Sequence, residues 1–441
     1  MVKFLFFIFF LFFMLVKNKL CMFYYNLCYL GSFMFIFVYF FKDDLWVSVS
    51  FSFGVNYYSV LLLMLSIWIL GLMMMCLGDG VEIMKLMMFG GILFFLMLFF
   101  MSLDLLIFYL VFEISLIPIF FLVIYWGSNP ERVSAGYFMI MYMLLISFPL
   151  LLYILNIYLY CGTLKFNLML LILEFYYFGI WGYFLIYGAF FIKMPVYLMH
   201  IWLPKAHVEA PVYGSMILAG VLLKMGGYGL IRLLEIFFKS SMQYNYIIFS
   251  IGMVGGLLVS ILSISQVDMK SLVAYSSVVH MNMTLCSLLT MSKLGFLGAY
   301  IMMIGHGLCS SGMFYLVNLY YSRSFSRLMI LNKGMLNSLP SLGMWWFLLC
   351  IINFSFPFSV SFIGEIFILS AVLNWEVSLV FFFMLICFFS SVYSLYLFSY
   401  VQHGESYNEN IFNSSMLKEK VLLMLHVFPL FMFLMNLVMF T

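Results

Sequence analysis

Apolar runs of about twenty residues follow one another along almost the whole chain, and a run of that length crosses the hydrocarbon core of a bilayer as a single helix. Lipid offers no hydrogen bonds to the backbone, so such runs fold as helices. Of 441 residues, 67% are hydrophobic and 8% charged, which leaves only short loops and no separate water-soluble catalytic domain. Roughly fourteen crossings fit: 1–17, 20–41, 55–78, 83–101, 104–126, 133–160, 176–202, 211–238, 244–264, 269–290, 294–321, 341–369, 374–401 and 417–440. The expected fold class is all-α, a polytopic membrane protein.

The joins are polar: Lys17-Asn18-Lys19, Lys42-Asp43-Asp44, Gly127 to Arg132, Ser322 to Lys333 and Gln402 to Ser415. MVKFLFFIFFLFFMLVKNK has a lysine before an apolar run but no small-residue cleavage site, so it reads as the first span and not as a signal peptide. Loops on one side hold Lys17, Lys19, Lys85, Arg132, Lys205, Lys270, Arg323, Arg327, Lys333, Lys418 and Lys420. The other side has Lys3, Lys42, Lys165, Lys239 and Lys293, so both termini are expected to face away from the compartment of synthesis. Basic residues are scattered with no patch interleaved with aromatics, which argues against nucleic-acid binding. The eight cysteines form no CxxC pair, so thiolate-held metal or iron–sulfur centres are not expected. Fifty-five Phe, 39 Met and 31 Tyr beside nine Pro are the kind of usage found in A+T-rich, organelle-encoded membrane proteins.

Against this background the stretch Lys193 to Arg232 stands out, because Lys193 and Lys224 lie in strongly apolar surroundings. A lone ammonium there costs several kcal/mol unless it is paired or gives up its proton, which makes each lysine a candidate relay. Pro195 cannot donate to the carbonyl of Phe191, so a crossing helix breaks beside Lys193. In LDLLIFYLVFEISLIPIFFLV, Glu113 is buried half-way along a span, and Lys193 is its natural partner. A static ion pair that fixes packing is the plainer alternative. Lys224 sits among Gly226, Gly227 and Gly229, either as a central relay or as a snorkelling cation in a closely packed helix; Arg232, nearer the helix end, fits the snorkelling role better.

His280 in QVDMKSLVAYSSVVHMNMT and His306 in IGHGLCSSGMF occupy successive spans. A histidine with an ordinary pKa of about 6.5 passes protons both ways near neutrality. Structural, hydrogen-bonded histidines are the plainer reading, and a haem is disfavoured because the two have no facing partner set. In INFSFPFSVSFIGEIFIL, Pro357 breaks the helix before Glu365, which is either a terminal proton acceptor or an anion at the start of the resuming helix. WLPKAHVEAP, with Lys205, His207 and Glu209, reads as a rigid turn pinned by Pro204 and Pro211; its His-x-Glu spacing makes a poor metal site. Spans four to eight and nine to thirteen form two five-helix sets, each interrupted in its fourth member beside an ionisable residue, the pattern of a transport site between inverted repeats. The expected domains are 1–82, 83–238, 239–401 and 402–441.

KMPVYLMHIWLPKAHVEAPVYGSMILAGVLLKMGGYGLIR, LVFEISLIPIF, WGSNPERVSAGYFM, DMKSLVAYSSVVHM, HGLCSSGMFYLVN and FIGEI together closely resemble the antiporter-like membrane subunits of respiratory complex I, NADH:ubiquinone oxidoreductase. The resemblance runs from about the fourth span onward. It implies fourteen helices with two inverted five-helix repeats and broken spans seven and twelve, marked here by Pro195 and Pro357. It places the family's proton-path residues on Glu113, Lys193, Lys224, His280, His306 and Glu365. WGSNPER and Tyr213 depart from the usual family pattern and touch no relay position.

The resemblance further implies a proton-translocating subunit of the mitochondrial inner membrane, with both termini toward the intermembrane space. NADH, FMN, iron–sulfur clusters and ubiquinone would be handled by partner subunits, with no cofactor or metal on this chain. Neighbouring antiporter-like chains 2 and 5 and phospholipids would be its partners. A free-standing cation/proton antiporter and a purely structural membrane-arm subunit are the rival readings.

Overall fold

The computed structural model describes residues 7, 26, 28–32, 47–77, 82–173, 176–405 and 414–440. Apart from a few positions, the expected spans 1–17 and 20–41 lie outside the described residues. An antiparallel hairpin, β1 Val47–Ser50 and β2 Phe53–Val55, is an addition to the all-helical expectation. After it come α1 Tyr57–Cys76, α2 Ile83–Met101, α3 Leu105–Trp126, α4 Arg132–Cys161, α5 Phe166–Ile172, α6 Ile180–Lys193 and α7 Trp202–Glu209. The chain continues with α8 Val212–Ile236, α9 Phe238–Ile264, α10 Met269–Leu289, α11 Lys293–Ser324, α12 Pro340–Asn353, α13 Val360–Trp375, α14 Val380–Gln402 and α15 Leu417–Met435.

Among the described residues nine helices are long and apolar enough to cross a membrane, or ten if Ile330–Ser338 and α12, bent by 114°, count as one span. The chain divides into two compact units, Met1–Met194 with Glu209–Tyr246, and Pro195–Val208 with Ile247–Thr441. The divisions fall after Met194, at the last residue of α7 and inside α9.

Local chemistry explains where helices start and stop. Asn56 caps α1 by accepting from the Ser59 amide at 3.1 Å while the Ser59 hydroxyl receives the Asn56 amide at 2.9 Å. α6 ends at Lys193, two residues before Pro195, and the chain then passes through Leu198 at φ 77°. α12 ends at Asn353; Ser355 (φ 57°) and Phe358 (φ 75°) flank Pro357, and the Ser359 hydroxyl caps α13 by accepting from the Phe362 amide at 3.3 Å. The WLPKAHVEAP stretch is a helix, α7, where the sequence suggested a rigid turn. Pro204 falls in its first turn, where a missing N–H breaks no intrahelical bond, so the proline does not forbid the helix.

In the first unit α8 is buried over all of its most apolar window and α4 over 28% of its own. Side chains of α4 such as Leu145, Leu152 and Leu159 face outward, as a lipid-facing helix requires. In the second unit α10 is 94% buried on the same measure, whereas the Val377–Gln402 segment containing α14 is 28% buried. α11 and α13 meet closely through glycines: a side-chain carbon on Gly298 would stand 3.2 Å from the Gly364 carbonyl, and one on Gly305 would stand 3.5 Å from the Ser361 amide. That approach sets the positions of His306 and Glu365, each of which follows one of these glycines.

Candidate functional site

The first unit holds Glu113, Lys193 and Lys224. α3 steps at Ser115, which separates Leu105–Ile114 from Leu116–Trp126, and the Ser115 hydroxyl bonds the Phe112 carbonyl at 2.8 Å. The same carbonyl accepts from Lys193 Nζ at 3.0 Å, and the ammonium lies 3.3 Å from the centroid of the Phe112 ring. Lys193 is thus held one residue away from Glu113, by a carbonyl and a π face, with no direct ion pair between them. Both carboxyl oxygens of Glu113 are buried and have no hydrogen-bond partner among the described residues. Lys193 and Tyr109 lie within electrostatic reach of that carboxyl, and the Ser147 side chain is the neighbour close enough to turn its hydroxyl to it, although that hydroxyl here bonds the Leu144 carbonyl at 3.4 Å.

Gly226 lets α8 pass the end of α6: a Cβ there would stand 3.1 Å from Lys193 Cβ and 2.9 Å from Met194 Cγ. Upstream, α8 widens into a π turn over Leu218–Leu222, and the Ala219 carbonyl receives Lys224 Nζ at 2.5 Å. Lys224 is fully buried. Arg232 does not snorkel as the sequence suggested; its side chain is 5% exposed, pairs with Glu235 at 3.1 Å and lies over the Phe166 ring. Nearby, Glu209 accepts from Asn129 at 3.2 Å.

The second unit gathers His280, His306 and Glu365. His280 Nδ1 lies 3.9 Å from Glu365 Oε1, and that oxygen accepts the Ser355 hydroxyl at 2.7 Å. Tyr393 Oη and His280 Nε2 are 3.4 Å apart, and Cys387 Sγ is 4.0 Å from Glu365 Oε2. The rings of His280 and His306 have centroids 5.5 Å apart. Both line a cavity with Met302, Cys309, Ile352, Asn353 and Ser361. It has room for about one water molecule. Pro195 and Pro357 stand in the non-helical stretches after α6 and after α12. Lys205 is exposed on α7, whereas His207 is buried and stacked on Phe314 with centroids 4.6 Å apart.

Sequence reading alone missed Phe112, Ser355, Tyr393 and His200. His200 is buried and stacked on Tyr197, and Gly255 makes the space for Tyr197. Ser355 carried a usable signal, a hydroxyl two residues before the helix-breaking proline. Phe112 and Tyr393 carried none, since one is among 55 phenylalanines and the other among 31 tyrosines.

Buried lysine and carboxylate beside stepped and broken helices define an antiporter-like membrane protein. The family model described as "NADH:quinone oxidoreductase/Mrp antiporter, TM" matches residues 102–436. NADH-ubiquinone oxidoreductase chain 4 of Ceratitis capitata is 44% identical over 392 residues, 87% of each chain. The chain 4 protein of Locusta migratoria is 41% identical over 438 residues, covering 98% of this chain and 97% of that one. The chain belongs to the NADH-ubiquinone oxidoreductase chain 4 branch of this antiporter-like family. A chain of respiratory complex I from Thermus thermophilus shares the fold, with TM-score 0.82 and 22% identity over 95% of this chain and 93% of that one.

Proposed function

We propose that this chain is a proton-translocating membrane subunit of mitochondrial NADH:ubiquinone oxidoreductase. Partner subunits carry NADH, FMN, iron–sulfur clusters and ubiquinone, and the redox energy reaches this chain through the membrane arm, where antiporter-like chains 2 and 5 and phospholipids are its neighbours. The single observation that carries this reading is the buried Glu113 carboxyl, with no hydrogen-bond partner among the described residues, beside an ammonium held by a carbonyl and a ring. A fully satisfied ion pair is a structural lock. A carboxylate and a lysine poised one residue apart form a switch: when Lys193 leaves Phe112 for Glu113, the field on Lys224 changes, and a proton moves.

In this reading Lys224 is the central donor and acceptor, His280 and His306 bridge, and Glu365 is the terminal carboxylate. Fourteen spans carry them, with 83–238 and 239–401 as inverted repeats and both termini toward the intermembrane space. Each proton moved against the potential costs about 2.3 kcal/mol per 100 mV. A contribution of that size lies within what rearranging one buried charge pair supplies.

The test is proton pumping by the assembled complex in vesicles, with Lys193→Ala or Glu113→Gln. Pumping and the NADH oxidation coupled to it are expected to fall while assembly persists. Wild-type pumping in assembled variants overturns the switch. Sodium-dependent exchange without NADH turnover would instead favour a free-standing antiporter, and loss of assembly alone a structural role.

A further inference from the structure

In the second unit, away from the Glu365 cluster, the C-terminal ends of α11 and α14 and the middle of α12 enclose Tyr320, Gln402 and Trp346, each no more than 1% exposed. Gln402 Nε2 donates to Tyr320 Oη at 2.9 Å, and the rings of Tyr320 and Trp346 have centroids 5.4 Å apart. Hydrogen-bonding capacity is then left over among the described residues. Trp346 Nε1 has no acceptor and Gln402 Oε1 has no donor. The hydroxyl proton of Tyr320 also finds no acceptor, since that oxygen's bond is the one it receives from Gln402. Buried polar groups are paired with protein or with ordered water, so orphans within one side-chain cluster call for a solvent partner.

Gly343, one turn before Trp346 on α12, is where the Gln402 amide packs closely on the helix. A Cβ at that position would stand 3.1 Å from Gln402 Oε1 and 2.8 Å from Leu336 Cδ1.

We infer that one water molecule is bound between α11, α12 and α14, accepting from Trp346 Nε1 and Tyr320 Oη and donating to Gln402 Oε1. Two donors and one acceptor match the two lone pairs and one proton of a water, and its second proton is free to extend the chain of hydrogen bonds. With the Gln402 amide turned over, Tyr320 donates to Oε1 and the outward Nε2 joins the indole as a second donor, so the water's lone pairs are still needed.

The experiment is solvent density in the assembled complex, for the wild type and for Trp346→Phe, Gln402→Leu and Gly343→Ala. One peak within about 3.2 Å of the three side chains is expected in the wild type. It should be lost in each variant that assembles, while solvent beside His280 is unchanged. A wild-type map with no peak and Trp346 Nε1 bonded to a protein acceptor overturns the inference, as does a peak that survives all three substitutions. Should no variant assemble, the wild-type map decides alone.

Discussion

Lys193 Nζ donates to the carbonyl of Phe112 at 3.0 Å and sits 3.3 Å from the centroid of the same residue's ring, next to the carboxyl of Glu113. One residue of α3 therefore presents both a dipole and a π face to the ammonium, while its neighbour presents the negative charge. A desolvated cation–π contact is worth about 2 kcal/mol, enough to hold the lysine and too little to lock it. Phe112→Leu keeps the apolar bulk and the carbonyl but removes the π face. The expected result is an assembled complex whose pumping rate falls several-fold; a rate equal to wild type would remove Phe112 from the switch.

Ser355 stands at φ 57° in the break before α13 and donates to Glu365 Oε1 at 2.7 Å. Hydrogen bonds to charged groups contribute about 1.5–3 kcal/mol. Ser355→Ala should preserve assembly, lower the pumping rate roughly tenfold and move its pH profile, while Ser355→Thr restores part of both. Assembly intact with an unmoved profile would show that the bond only shapes the break.

Glu419 caps α15 by accepting the Met416 amide at 3.0 Å and also pairs with Arg323 of α11 at 2.6 Å, where the two side chains are 16% and 8% exposed. The pair is part-buried, so losing one partner costs more than the about 0–1 kcal/mol of an exposed pair and less than the about 3–5 kcal/mol of a fully buried one. Arg323→Ala is expected to lower the thermal stability of the complex clearly. Lys85→Ala, at the exposed pair with Glu82, should change it by under about 1 kcal/mol. Equal effects in a melting assay would contradict the burial argument.

Gly255 faces Tyr197, and a Cβ built there collides with the tyrosine's own Cβ. Gly255→Ala should displace the Tyr197–His200 stack and cost about 1–3 kcal/mol through overpacking. Gly91→Ala is the control, because nothing stands within 4 Å of its Cβ and alanine favours a helix by about 1 kcal/mol. Assembly yields of the two variants read the difference directly, and a neutral Gly255→Ala would show that α9 can shift.

Much of the architecture was legible from residue order. Apolar length fixes a crossing, and prolines fix its interruptions, because both act through the local backbone: 83–101 was expected and Ile83–Met101 is found, and the chain leaves the helix on either side of Pro195 and Pro357. The WLPKAHVEAP stretch was misjudged because prolines at both ends look like a turn until the first one is placed in the first turn of a helix. The six ionisable candidates also stood out by themselves, since charge in an apolar span is rare at any position.

What those residues touch was decided by tertiary packing. Lys193 meets a carbonyl 81 residues away, and His280 meets a tyrosine 113 residues away. A helix that is apolar all round carries no amphipathic stripe to say which face turns toward which neighbour. The facing surfaces come from where glycines allow two helices to close, as at Gly226 against Lys193 and at Gly298 against Gly364. Sequence by itself determined that charges are buried and helices broken, because burial and breakage follow from the chain's own solvation and dihedral angles. Only the folded structure decided that Lys193 rests on Phe112 beside Glu113, because partner choice is set by the packing of segments far apart in the chain.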